Sequence, residues 1–571
     1  MSSKSPSHYQ ITLTLPNPSP RLKRILAFLP LFLVCLYLLR PLLHPWFPLV
    51  TDGEYYLARL GNYFVALQEG QFLPRWAPTF KFGFGYPVFN YNYPLPNLIG
   101  VTFMFFGQTA QTAMKLLFAV SLLSAAAGMY AYLSSRFRTL PAFVGSLLYA
   151  TAPYFTYDMF LRGTYGELVA LGLFPWALLS LELYLRRPSR PRFFFIVASI
   201  SLLFLSHNIM ALFSLALITF YLLLNHHLKE LTKLLYPFLL SLCLVSFFWL
   251  PALFEARYTV MSERSLYQNF ATNLKPLWQL TRLTLSRPSP SLENMRQIGY
   301  PQLAALSLTL IFLLHASVRS RFALTFFLAA VASIFFITPE SRFLWQLLPG
   351  VNFLQHPFRL LFVTAISTSL LAAWITSKLS PKPTAILLIA LLIVNYYFFY
   401  TTPSHYVPYA DDWLTSYPLT SAAADEFDPP WYDKKTSDNY ISAGQEPYAI
   451  VSGAAAIIID FWNGTTRSYR AQIDTPTTIV ERTLYFPGWQ TRIDGQLIDL
   501  NATKGNFGGL INYTLPVGSH TVTTRFTQFT PARFLGNSLT LIGLAAFIIS
   551  TLLFSRFKPQ PLPAKPPKRK T

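Results

Sequence analysis

The stretch FFFIVASISLLFLSHNIMALFSLALITFYLLL, residues 193–224, decides the fold. As a single helix it would rise about 48 Å at 1.5 Å per residue, against a bilayer core of about 30 Å. Ser206, His207 and Asn208 interrupt the run. The segment therefore folds into a hairpin of two membrane helices, 193–206 and 209–224, with those polar groups at its turn. Moving outward, further apolar segments occupy 25–43, 112–134, 139–156, 167–185, 234–252, 301–317, 322–337, 360–377, 383–400 and 535–554. A membrane helix needs about 20 apolar residues, so the pattern predicts a mainly α, polytopic helical bundle of about 12 spans. The stretch 95–106 is short and follows Pro94 and Pro96, so it reads as re-entrant or interfacial.

Of the 571 residues, 53% are hydrophobic and 12% charged, about half the charged fraction of a soluble domain. The net charge of +21 would suit a nucleic-acid binder. Lys and Arg fall instead in short loops between apolar runs, where they set orientation in a bilayer. With a cytoplasmic N-terminus, every even-numbered connection must be basic. These connections hold Arg136 and Arg138; Arg186, Arg187, Arg190 and Arg192; Lys229 and Lys233; Arg319 and Arg321; and Lys378 and Lys382. The tail adds Arg556, Lys558, Lys565, Lys568, Arg569 and Lys570. We expect a plasma-membrane protein with both termini cytoplasmic and no nucleic-acid partner. Arg21, Lys23 and Arg24 precede the first run, but Arg40-Pro41 follows it in place of a cleavage site, so it reads as an uncleaved first span. The expected organisation is a cytoplasmic segment 1–24, a transmembrane domain 25–400 with an outer loop 44–111, an extracytoplasmic domain 401–534, a last helix 535–554 and a basic tail 555–571.

Within 401–534, the alternating runs 478–485 and 521–526 read as strands. Asp494-Gly495 lies between short strand-like runs and signals a two-residue hairpin. A small β-sandwich is expected. Asn463-Gly464-Thr465, Asn501-Ala502-Thr503 and Asn512-Tyr513-Thr514 match the glycosylation sequon. Cys35 and Cys243 both lie in apolar segments, so the outer domain has neither a disulfide nor a cysteine-ligated zinc.

The long connections 44–111, 157–166, 253–300, 338–359 and 401–534 all fall outside. Loops on a rigid scaffold carry chemistry, so any active site belongs to that face. Asp52, in Thr51-Asp52-Gly53-Glu54-Tyr55-Tyr56, directly follows the first span. An acid at this boundary serves as general base for an incoming hydroxyl, or ligates a divalent cation such as Mg or Mn. Alternatively, Thr51 or Asp52 caps a helix running through Gln68. The same loop carries Arg75, Trp76, Tyr86 and Asn90 amid aromatics, Gly and Pro, as suits an ordered loop at the headgroup level. The second outer loop offers Asp158, Arg162 and Glu167. Ionisable groups so near a bilayer pair internally or serve a pathway. His207 and Asn208 sit at the hairpin turn. His356 and Arg359 enter the tenth span from outside, where Arg359 either holds a phosphate or snorkels to the interface. Acids, arginines and histidines gathered on one face suit a substrate with a phosphate head and a lipid tail.

These residues resemble the membrane proteins named as related to 6-pyruvoyl-tetrahydropterin synthase, a label that implies no pterin chemistry. The resemblance runs through Asp52-Gly53, Pro74-Arg75-Trp76, Gly83-Phe84-Gly85-Tyr86-Pro87-Val88-Phe89-Asn90 and Tyr93-Pro94-Leu95-Pro96. It continues through Ala152-Pro153-Tyr154, Arg162-Gly163, Glu167, Ser206-His207-Asn208, Trp249-Leu250-Pro251-Ala252 with Glu255, and Pro357-Phe358-Arg359. Tyr485-Phe486-Pro487-Gly488-Trp489, with Asp494-Gly495, is similar to the outer domain of YfhO-like membrane proteins. Both groups resemble members of the GT-C glycosyltransferase superfamily. The resemblance implies transfer, with inversion, of a sugar from a polyprenyl-phosphate carrier to a glycan, lipid or protein acceptor at the outer face. It makes Asp52 the base, with Glu54 assisting and Glu167 or Asp158 as second acid. Arg162, His207 and Arg359 become contacts of the carrier phosphate, and Arg75, Trp76, Tyr86, Asn90, Asn208 and His356 further substrate contacts. Tyr55 and Tyr56 stand where relatives carry a histidine, which favours a base-only Asp52 and assigns no metal ligand. The rival readings are a lipid or polysaccharide transporter or flippase, and a non-catalytic scaffold for cell-envelope polymers. Charges at helix ends and the lack of a convincing internal repeat speak against a transporter.

Overall fold

The computed structural model describes residues 20–553, apart from 262–269, 283–295, 316–319, 349–353, 355, 400–402, 404, 423, 441–445 and 501–503. The basic tail and most of the expected N-terminal segment lie outside the described residues.

Each predicted apolar segment folds as helix. Six helices are long and apolar enough to cross a membrane: Leu26–Leu43, Ala110–Ser134, Tyr165–Arg186, Asn208–Asn225, Pro357–Lys378 and Pro531–Leu553. Two bent pairs, Leu228–Leu244 with Ser246–Phe254 at 68° and Arg321–Ile337 with Pro339–Gln346 at 89°, raise the number to eight. Length and apolarity thus support six to eight spans among the described residues, against the twelve expected. The remaining runs are short or broken. Thr139–Ala150 stops before Pro153, which starts a separate turn of helix at Pro153–Tyr157, because a residue preceding proline disfavours the α region. Pro94–Phe105 has 12 residues and rises about 18 Å, too little to span.

The hairpin is present. Arg190–Ser206 ends at His207, whose backbone is extended, and Asn208–Asn225 begins with the His207 ring accepting from the Met210 amide.

Strand β1 (Phe47–Pro48) pairs antiparallel with β2 (Tyr406–Val407), tying the chain after the first span to the start of the outer domain. That domain holds β3 (Tyr448–Trp462), β4 (Thr466–Leu484), β5 (Trp489–Ile493), β6 (Gln496–Ile498), β7 (Leu510–Leu515) and β8 (Gly518–Phe526). They form one antiparallel sheet of order β3-β4-β8-β5-β6, with β7 beside β4. The 19-residue β4 carries β8 along its first half and β7 along its second. One long strand therefore joins all six in a continuous hydrogen-bonded sheet, and this sheet folds over on itself: Thr524 of β8, which pairs with the first half of β4, donates at 2.7 Å to Glu481 on the second half. Asp494 and Gly495 both have positive φ, 52° and 83°, as a type I′ hairpin turn requires. Asn512 is buried and bonds the Leu510 carbonyl. Asn463 accepts from the Thr465 and Thr466 amides. Asn501 lies outside the described residues.

The 44–111 loop docks on this sheet. Trp76 is fully buried against Phe486, Trp489 and Phe526, with ring centroids 5.1–6.4 Å apart. Gly85, at φ 80°, lies so close that a Cβ there would sit 2.1 Å from the Trp76 Nε1.

Candidate functional site

Asp52 occupies the N-cap position of the helix Gly53–Gln68, yet its side chain makes no capping hydrogen bond. The expected alternative, a carboxylate spent on orphan helix donors, is therefore not what the side chain does. Its backbone is held from across the site: the Asp52 amide donates to the Arg162 carbonyl at 2.8 Å and the Thr51 amide to the Leu161 carbonyl at 2.9 Å. This approach needs Gly163, at φ 78°, where a Cβ would come within 2.5 Å of Val50. The Asp52 carboxylate lies 3.8 Å from an Arg162 terminal nitrogen and keeps 31% side-chain exposure. Burial of the rest lifts its carboxyl above the usual value, while Arg162 and Arg359 pull it back.

Glu167, in the first turn of Tyr165–Arg186, is the fully buried hub. It accepts from Arg162 at 2.9 Å, from Arg359 Nε at 2.9 Å and from the Tyr154 hydroxyl. Arg359 also donates to the Leu354 carbonyl at 3.1 Å. Arg162 contacts Asp158 at 3.3 Å. Burial and the Glu167 carboxylate push Asp158 well above the ordinary carboxylate range, against the pull of Arg162. Burial brings His207 down to about 3, leaving a neutral ring. Its Nδ1 accepts from Met210, so Nε2 carries the hydrogen, 3.9 Å from Glu167. Asp52, Asp158, Arg162, Glu167, His207 and Arg359 thus converge from four separate segments.

The other expected residues lie elsewhere. Glu54, two positions along the helix from Asp52, faces the outer domain and accepts from Tyr417 at 3.0 Å. Arg75 and Asn90 belong to a second buried network. Arg75 donates to Gln528 at 2.7 Å, Asn90 at 3.1 Å and the Phe247 carbonyl at 2.6 Å. Asn90 donates to Glu255 at 2.8 Å, and Glu255 holds the fully buried Arg533 at 2.9 and 3.1 Å. Burial pulls Arg75 down to about 10. Trp76 is packing core. Tyr86 is buried, its hydroxyl accepting from the Phe427 amide. Trp76 and Tyr86 therefore fasten the loop to the 401–534 domain, Arg75 joins it to both Gln528 and Phe247, and Asn90 joins it to Glu255; none of the four lines the Asp52 cluster. Asn208 donates to the Tyr91 carbonyl at 3.5 Å. His356 neighbours Phe358, with ring centroids 5.2 Å apart.

Sequence reasoning missed Tyr154 as a Glu167 donor. It also missed Arg296, which donates to Tyr157 at 2.9 Å and lies 4.1 Å from the Phe358 ring centre. Glu255 and Arg533 were readable as charges at apolar helix ends. The donor set fits a divalent cation poorly. Glu167 is engaged by two guanidiniums, Asp158 lies against Arg162, and Asp52 faces Arg162.

The sequence matches the family described as "6-pyruvoyl-tetrahydropterin synthase related domain; membrane protein" over residues 89–405. The match takes in Asp158, Arg162, Glu167, His207 and Arg359, and leaves Asp52 outside. No curated protein matches. Among solved structures, the arabinofuranosyltransferase AftD from Mycobacteria is similar at 14% identity and TM-score 0.42, over 68% of this chain and 27% of that one. A mutant of that enzyme gives 15% identity and TM-score 0.43, over 66% and 28%. This chain thus spans less than a third of the length of those it matches, and likenesses this loose fix no residue correspondence.

Proposed function

The chain belongs to the 6-pyruvoyl-tetrahydropterin-synthase-related family of membrane proteins, and from that premise we propose a membrane glycosyltransferase. It moves a sugar from a polyprenyl-phosphate carrier to an acceptor hydroxyl at the extracytoplasmic face, with inversion. One observation carries the reading: Asp52 stands just past the first span with a partly exposed carboxylate that caps nothing and sits 3.8 Å from Arg162.

Asp52 takes the proton of the acceptor hydroxyl as it attacks the anomeric carbon. Its raised pKa suits the task, because a base poised nearer neutral pH accepts a proton more readily. Negative charge develops on the departing phosphate, and Arg162 is the nearest fixed cation to stabilise it. Arg359 stands behind Arg162 on the same carboxylate. Glu167 is a positioning residue: both guanidiniums occupy it, so it holds them in place and takes no proton from substrate.

The test is direct. Wild-type protein in lipid nanodiscs is given radiolabelled polyprenyl-phosphate sugars and membrane-derived acceptors. The proposal expects labelled product whose new bond has inverted configuration by NMR. No transfer from any donor, alongside donor-lipid movement across the bilayer, would establish the flippase reading in its place.

A further inference from the structure

The helix Gly53–Gln68 has Asp52 at one end and Glu69 at the other, about 26 Å apart at 1.5 Å per residue. At the Glu69 end, between the first outer loop and the sheet, lies a cavity of about 560 Å³. Its walls include Glu69, Phe82, Trp462, Asn463, Arg467 and Arg482.

Arg467 is 3% exposed. Its NH1 donates to the Gly464 carbonyl at 3.1 Å, and its Nε has no hydrogen-bond partner among the described residues. Glu481 and Glu69 act on it only at longer range, and burial pulls it down to about 10. The guanidinium lies 4.3 Å from the Trp489 ring centre and 5.4 Å from that of Trp462. Aromatic faces fix its orientation without neutralising it, and no carboxylate among the described residues comes within ion-pair distance of it.

The cavity rim is held under strain. Lys81, Phe82 and Gly83 are three successive left-handed residues, at φ 56°, 58° and 81°. Such residues persist only where the surroundings over-determine them. Here Lys81 pairs with Asp428 at 2.6 Å and the Phe82 amide donates to the Pro418 carbonyl at 2.6 Å. The result is an exposed Phe82 ring fixed in the cavity wall along with Trp462.

Flat rings for a sugar face, the Glu69 carboxylate oxygen that the Gly464 amide does not occupy for a hydroxyl, and an arginine with no carboxylate at ion-pair distance among the described residues make one coherent set. We propose that this cavity is a subsite for an acidic saccharide: it takes a sugar bearing a carboxylate or a phosphate, with the anion on Arg467 and the ring against Trp462 and Phe82. Resting on the transferase reading, it holds the distal part of an oligosaccharide acceptor while the growing end reaches Asp52, the helix acting as spacer.

Isothermal titration of the full chain in nanodiscs, without donor, tests this. The probes are trigalacturonate, neutral galactotriose, glucose 6-phosphate and inorganic phosphate. Trigalacturonate or glucose 6-phosphate should bind at least tenfold more tightly than galactotriose, and whichever does identifies the anion. Arg467→Gln and Trp462→Ala should each raise Kd at least tenfold, and Asp52→Asn should leave it unchanged. If Arg467→Gln does not fold, Trp462→Ala and Phe82→Ser decide. Equal binding of neutral and acidic sugars, binding of inorganic phosphate alone, or an unchanged Kd in Trp462→Ala would overturn the subsite. Binding without transfer by wild type removes the transferase reading and leaves the subsite standing; transfer without acidic-saccharide binding does the reverse.

Discussion

Replacing Glu255 with methionine removes the only carboxylate that Arg533 pairs with among the described residues. Arg533 has no solvent exposure, and Glu255 takes both of its hydrogen bonds to a carboxylate, at 2.9 and 3.1 Å. It also accepts from Asn90 and Thr530. Glu255→Met therefore leaves an uncompensated guanidinium and an unpaired amide inside the protein. Breaking a buried ion pair from one side costs about 3–5 kcal/mol, whereas replacing both members with apolar groups is near neutral. Arg533→Met alone should cost a similar amount, and the double variant much less than the sum. The coupling energy should reach at least about 2 kcal/mol. Reversible denaturation in mixed micelles measures all four proteins. Glu255 thus joins Arg533 of the last helix to Asn90 of the 44–111 loop; if Glu255→Met stays within about 0.5 kcal/mol of wild type, or the two losses simply add, that junction does not stabilise the fold.

Glu167→Leu strands Arg162 and Arg359 and should also destabilise by about 3–5 kcal/mol in the same assay. Gly85→Ala meets both a positive φ and the Trp76 ring; limited proteolysis should then cut the outer loop faster than in wild type, and unchanged cleavage would refute the close fit. Trp76→Ala should cost about 3–5 kcal/mol from the void it leaves against Phe486, Trp489 and Phe526. The raised Asp52 carboxyl predicts that kcat/KM falls with decreasing pH through a value above the reference Asp pKa of about 3.9, because the base must be ionised. The same shift has a stability counterpart: the folded state binds that proton more tightly, so its contribution is largest at low pH and is lost as pH rises through the folded pKa.

Local pattern carried the helical segments, the break at His207 and the turn at Asp494-Gly495, because each depends on neighbours in sequence. The span count was less legible. Residues 139–156 have the composition of a membrane helix, but Pro153 divides them, and bends after Leu244 and Ile337 split two more. What sequence did not show in the outer domain is that the 19 residues of β4 take two partners in succession and so run through the whole sheet. In the site, charge at the outer face pointed to Asp52, Arg162, Glu167 and Arg359 together. Sequence left open whether Asp52 caps its helix, and only the side-chain direction shows that it does not. Arg75, Trp76, Tyr86 and Asn90 form a dense motif whose partners, Phe247, Glu255, Phe427, Trp489 and Gln528, lie from 165 to 453 residues away. Nothing in the motif distinguishes fastening from substrate contact.

The central claim is that Asp52 removes the acceptor proton beside Arg162. Single-turnover transfer from a polyprenyl-phosphate sugar, compared between wild type and Asp52→Asn in nanodiscs, measures it most directly. The account predicts a rate loss of about 10²–10⁴-fold with donor affinity and thermal stability little changed. Transfer by Asp52→Asn at the wild-type rate would contradict it.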